Sequence, residues 1–143
     1  MIVRLARMQT RVFWVDWKIL HKLVWPASLQ NDSECGPEFR MVFSELWFTN
    51  RGQAERRFIP GEIAYGDKES PILFVNGRHR SCVLGRFLTS IPVAVDSELR
   101  RRKFFSSCIV RRFENDENLD LPDLPILSPS VLTKCRTFQY PNP

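Results

Sequence analysis

The sequence predicts an α+β domain, a mixed sheet with helices packed on it, and three stretches carry that expectation. Residues 11–20, RVFWVDWKIL, alternate apolar side chains with the period of a strand. From Pro37 onward apolar residues recur at helical spacing, and residues 71–95, PILFVNGRHRSCVLGRFLTSIPVAV, run strand, glycine, helix, strand. At 143 residues, with 43% hydrophobic and 26% charged content, the chain is long enough to bury a core without metals or disulfides. It reads as a single domain over 1–113, followed over 114–143 by an acidic, proline-rich tail that is packed on the domain or partly mobile.

Taken in order, Phe13, Val15, Trp17 and Ile19 fall on one side of the first strand, with Val12 and Trp14 opposite. Apolar residues on both faces predict a central strand. Phe39, Val42, Phe43, Leu46 and Trp47 then predict a helix with one wide buried face, opened by Pro37. A short turn is expected around Ile59-Pro60-Gly61-Glu62-Ile63, followed by a β-run over 71–76 that Gly77 ends. Residues 79–89 predict a helix with Val83, Leu84, Phe87 and Leu88 facing the core, and 91–95 a short strand with Pro92 at its start or on an edge. Asp96 or Ser97 is placed to cap a last helix running to about residue 110, with Phe104, Phe105, Cys108 and Ile109 facing inward.

Composition narrows the function classes. No window approaches the roughly 18–20 apolar residues of a membrane span, and the first residues lack an uninterrupted apolar run, so a cytoplasmic protein without membrane insertion is expected. Cys35, Cys82, Cys108 and Cys135 are scattered without a C-x-x-C pair, which predicts reduced thiols rather than a zinc site. The net charge of +5 favours anionic partners such as nucleotides or nucleic acid. Arg100, Arg101, Arg102, Lys103, Arg111 and Arg112 crowd one segment, ahead of Glu114, Asp116, Glu117, Asp120 and Asp123. Local pairing of the two blocks and a nucleic-acid surface are both open to them.

The candidate site is Asn76-Gly77-Arg78-His79-Arg80. Three nitrogen-rich side chains at a helix N-terminus repel one another and oppose the helix dipole, which favours a compensating anion. The first helical N–H groups have no intrahelical acceptor, and Gly77 allows both a sharp turn and close approach of a phosphate. Arg78 and Arg80 offer forked donors, and His79 donates in either protonation state. Arg86, seven residues beyond His79, extends the same face. Without a ligand the same residues would be a solvated helix start with ordinary surface arginines. Glu62, on the turn before the strand, has two roles open to it: ion-pair partner of the arginines, or acid–base or metal-holding group. Asn76 either positions the phosphate or holds the turn.

The run F-V-N-G-R-H-R-S, a helix of about ten residues, and I-P-V-A-V resemble the core of the ParB/sulfiredoxin superfamily. There a G-E-R-R or G-C-H-R box opens a helix, cradles nucleotide phosphates and leads to a short V-P-V strand. Carried over by position, Gly77 is the turn glycine, His79 and Arg80 match the phosphate-binding pair, and Arg78 stands where relatives place Glu or Cys. Lacking that cysteine, the chain does not support sulfiredoxin chemistry; lacking the glutamate and a DNA-binding helical region, it does not read as a full partition protein. The N-G-R-H-R-[ST] form most resembles small plasmid fertility-inhibition factors of the Osa/FiwA type, which block DNA transfer through a type IV secretion channel at its coupling protein. The resemblance covers about residues 58–96. It implies a phosphate pocket for ATP, another nucleotide or DNA, the coupling protein as partner, and weak ATP or DNA hydrolysis as the reaction to look for. The alternatives are a ParB-like nuclease or nucleotidase, with His79 and Glu62 catalytic and a divalent metal as cofactor, and a non-catalytic interaction module.

Elsewhere the chemistry-bearing residues have ordinary settings. His21 has no paired ligand pattern and reads as a surface residue. Ser81, Ser106 and Ser107 lack a G-x-S-x-G context. Trp14, Trp17, Trp25 and Trp47 fit core periodicity better than base stacking.

Overall fold

A computed structural model describes residues 1–24, 42–49, 56–114 and 117–128. Strand β1 (Ile2–Leu5) leads through a bend to β2 (Val12–Asp16), and the chain turns helical at once in α1 (Trp17–Val24). The switch falls at Asp16, whose Oδ1 accepts the Ile19 N–H at 3.0 Å and so satisfies a first-turn donor. Trp17 and Ile19 therefore belong to a helix, not to the strand that alternation predicts. β2 itself is interior, flanked by the strands Ser90–Val95 and Ile109–Arg112 in the larger sheet, as its two apolar faces predict.

Of the helix expected from Pro37, residues 37–41 lie outside the described residues. Over 42–49 the expectation fails. β3 (Phe43–Ser44), a 3₁₀ turn (Glu45–Trp47) and β4 (Phe48–Thr49) stand there instead. Ser44 Oγ caps the single turn by accepting the Leu46 N–H at 3.2 Å. The helical spacing loses to aromatic packing: Phe43, Phe48 and Phe58 meet edge to face with centroids 5.5–6.4 Å apart, and none is more than 2% exposed.

The expected turn at 59–63 is also replaced. Short β5 (Arg57–Phe58) is followed by β6 (Gly61–Tyr65), a full strand that forms a hairpin with β7 (Ile72–Asn76). Helix α2 (Arg78–Phe87) then carries the chain back to β8 (Ser90–Val95), which lies parallel to β6. The turn glycine, the helix and the strand fall where the sequence places them. β8 is nevertheless central, with Ile91 through Val95 buried, and Pro92 is tolerated because β6 begins to pair only at the next residue, Val93. The last helix is cut to α3 (Ser97–Arg100), capped by Asp96, whose carboxylate accepts the Glu98 N–H. A 3₁₀ segment (Lys103–Ser107) buries Phe105, and β9 (Ile109–Arg112) turns away to pair with β2.

β10 (Asn118–Asp120) and β11 (Ile126–Leu127) bring the start of the acidic segment into the fold. The described residues thus form a five-stranded mixed sheet ordered β7-β6-β8-β2-β9, a four-stranded sheet ordered β10-β1-β5-β4, and the parallel pair β11-β3. α2 packs on β6 and β8, and the Trp17 ring of α1 lies directly on Gly85 of α2, where a side chain would collide with it. One core joins these layers, with Val15, Leu20, Phe58, Val83, Ile91, Leu99, Phe105 and Leu119 fully buried. Each such side chain contributes about 1.5–3 kcal/mol by burial. Among the described residues no helix is long and apolar enough to cross a membrane.

Two cysteines are described, both buried. Cys82 on α2 is disulfide-bonded, so the expectation of four reduced thiols fails there. Sequence spacing does not show which sulfurs meet in space. Cys108 is a free thiol that burial, reinforced by the Asp16 carboxylate, pushes up to about 11. Ellman's reagent at pH 8 is therefore expected to leave Cys108 unmodified in the folded chain and to modify it once the chain unfolds; rapid labelling of native protein would contradict its placement. Because the unfolded thiol ionises first as pH rises, this group makes folding less favourable between its ordinary range and pH 11.

Candidate functional site

The start of α2 is built from two backbone segments pressed together. Gly77 is the N-cap residue, at φ 78° and ψ 20°, the left-handed region where glycine avoids the cost that a Cβ incurs. A Cβ at Gly77 would lie 2.5 Å from Gly61 Cα and 2.6 Å from Arg80 Cζ; one at Gly61 would lie 2.5 Å from Ser81 Oγ. Both glycines are required for β6 and the α2 start to approach this closely. Gly77 has no side chain with which to cap α2, and the first turn carries no acidic residue.

Arg80 holds the junction. Its Nη2 donates to the Pro60 carbonyl at 3.0 Å and to Asn76 Oδ1 at 2.8 Å, tying the end of β7 and the short link before β6 to the helix. Asn76 thus holds the turn. Burial lowers the Arg80 guanidinium below its ordinary range, and the charge of Glu62, opposite Asn76 in the β6–β7 ladder, works against that shift. Arg80 Nε is buried with no hydrogen-bond partner among the described residues, a donor whose desolvation is left uncompensated.

Of the residues singled out from the sequence, Asn76, Gly77, Arg80 and Glu62 are brought together, with half-buried Arg78 and His79 following Gly77 in the first turn. No known family model, curated protein or solved structure matches this chain. Arg86 lies two turns on, roughly 10 Å along the helix axis from His79, where burial lowers its pKa. Among the described residues no group of three or more His, Cys, Asp or Glu is placed to hold a metal ion.

Gly61 and the Pro60 carbonyl are the members that sequence reasoning missed. The Pro60-Gly61 pair was legible as a turn, but the need for a bare backbone opposite Gly77 arises only when two segments meet in space. His21 is half-buried against Trp17, with ring centroids 5.6 Å apart, and burial lowers its pKa.

Two cations of the basic segment, Arg102 and Arg111, pair locally. Arg102 pairs with Glu98 at 2.9 Å and lies 3.8 Å over the Tyr65 ring. Arg111 pairs with Glu117 and lies over Trp14, whose Nε1 donates to the same carboxylate at 3.3 Å. Asp120 and Asp123 face the Met1 ammonium at 3.5 and 3.0 Å.

Proposed function

We propose that this chain is a phosphate-binding interaction factor of ParB/sulfiredoxin type that inhibits conjugative DNA transfer, acting in the cytoplasm at a type IV secretion coupling protein. The observation that carries the phosphate half of the reading is the α2 start at left-handed Gly77, which has no capping side chain of its own, with an Arg80 Nε–H beside it that has no partner among the described residues. Backbone N–H groups at the positive end of a ten-residue helix suit a phosphate of a nucleotide or of DNA. In this reading Arg78 and His79 supply the side-chain donors, and Arg80 keeps the turn in shape rather than reaching outward. The choice of conjugation rests on the resemblance of N-G-R-H-R-S to the fertility-inhibition factors.

Binding is favoured over hydrolysis. Arg80 is engaged in holding Pro60 and Asn76, and the position that carries a reactive or acidic group in the resembling families is Arg78. Transfer frequencies of a panel of conjugative plasmids, measured in donors expressing the chain, test the reading. At least one system is expected to fall by an order of magnitude or more, with the effect lost in Arg78→Gln/His79→Gln. Unchanged transfer throughout would remove the inhibitory role. Inhibition that survives the double substitution would leave a partner-binding surface without a phosphate requirement, and metal-dependent DNA cleavage lost in His79→Ala would favour a nuclease instead.

A further inference from the structure

Away from α2, a cleft of about 550 Å³ opens between the two larger sheets. Its walls include Arg57 of β5, Arg7 and Arg11 from the β1–β2 connection, and Arg112 at the end of β9, with Glu114 and Glu117 at one side. The connection is pinned at both ends. The Ala6 N–H donates to the Phe58 carbonyl at 2.8 Å, and the Arg11 carbonyl accepts the Val95 N–H at 2.9 Å. Both sheets therefore fix where these arginines stand.

The charges do not cancel. Glu117 is already held by Arg111, which is not part of the lining, and Arg57 Nη1 reaches the Leu5 carbonyl at 3.4 Å. Arg7, Arg11 and Arg112 have no side-chain hydrogen bond or ion pair among the described residues, although other arginines of this chain pair locally. These three guanidinium groups around one concavity focus positive potential into it.

We propose that this cleft is a second anion site that binds adjacent phosphates: the triphosphate of a nucleotide, or successive phosphates of a single nucleic-acid strand. The volume suits a ligand of nucleotide size. Guanidinium forks match phosphate oxygens in pairs, and several such forks call for more than one phosphate. The cleft is independent of the α2 start. Its lining includes none of Asn76, Gly77, Arg78, His79, Arg80 or Glu62.

The test titrates tripolyphosphate, ATP and a fluorescein-labelled ten-nucleotide poly-dT strand into the full chain at low salt. Wild type is compared with Arg11→Gln/Arg112→Gln, with Arg7→Gln, and with Arg78→Gln/His79→Gln. Arg7, Arg11 and Arg112 are exposed, so these variants should keep the wild-type melting temperature. Arg11→Gln/Arg112→Gln is expected to weaken the binding ligand roughly tenfold or more, and Arg7→Gln to weaken it less. Substitutions at α2 would leave this binding in place, so the two sites can fail separately. Tripolyphosphate and ATP binding without poly-dT would identify a nucleotide. Poly-dT binding whose log–log salt slope drops by about 2 in Arg11→Gln/Arg112→Gln would identify a strand. Equal affinity of all three ligands for wild type and the cleft variants, or equally tight binding of polyglutamate, would overturn the proposal.

Discussion

Gly77→Ala is expected to destabilise the chain by roughly 3 kcal/mol and to disorganise the α2 start. About 1–2 kcal/mol comes from holding a Cβ-bearing residue in the left-handed region. The remainder, about 1–3 kcal/mol, comes from overpacking against Gly61 Cα and the Arg80 guanidinium. Gly61 presents backbone rather than a flexible side-chain end, so relief requires β6 and α2 to separate, which would stretch the Arg80 bonds to Pro60 and Asn76. Gly77→Asn separates the two causes, since asparagine tolerates left-handed backbone but still carries the Cβ. It is expected to recover only a minor part of the loss in urea unfolding. Full recovery in Gly77→Asn would show that the close approach of β6 is not a constraint, and wild-type stability of Gly77→Ala would contradict the geometry altogether.

Phe58→Ala is expected to cost about 4 kcal/mol, lowering the melting temperature by roughly 10–15 °C. Phe58 is fully buried, pairs with Phe48 across β4–β5 and meets Phe43 of β3, so truncation removes apolar burial and two edge-to-face contacts and leaves a cavity at the junction of three short strands. Its carbonyl also accepts the Ala6 N–H. Phe58→Leu keeps most of the volume and is expected to lose about 1.5 kcal/mol. If the two variants melt alike, the aromatic cluster is not what holds residues 42–49 in place of the helix their spacing predicts.

That cluster shows where the sequence was readable. Over 71–95 the local signals place the elements: an apolar run, a glycine that must be left-handed, a helix of the right length, and a strand apolar on both faces because both faces are covered. Leu73, Val75 and Phe87, the last expected in the core, are nevertheless exposed. Around 42–49 local signal and tertiary environment conflict. Phe43, Leu46 and Trp47 have helical spacing, but burial of Phe43 against Phe48 and Phe58 outweighs a propensity term of a few tenths of a kcal/mol per residue. Pro60 concealed β6, since a proline-glycine pair reads as a turn and the strand starts on the glycine itself. The helix expected to run to about 110 was shortened because β2 takes a second partner in β9, a demand that no local pattern encodes.

The site was legible in the same uneven way. Gly77 and the cations after it could be picked out from residue types alone. The direction of Arg80 could not, because its acceptor is a carbonyl twenty residues earlier. Its assignment to phosphate came from the motif, whereas its observed bonds hold the turn. The cleft drew no notice in the sequence because Arg7, Arg11, Arg57 and Arg112 are spread over more than a hundred residues and meet only through the pairing of β1, β2, β5 and β9.

The most direct test of the central claim is a ¹H–¹⁵N correlation spectrum of the full chain titrated with ATP. A phosphate at the start of α2 is expected to move the amide protons of Arg78, His79 and Arg80 downfield in a saturable way, and Arg78→Gln/His79→Gln should abolish the shifts. Amides of α2 that stay fixed while ATP saturates the chain elsewhere, or that stay fixed throughout, would contradict it.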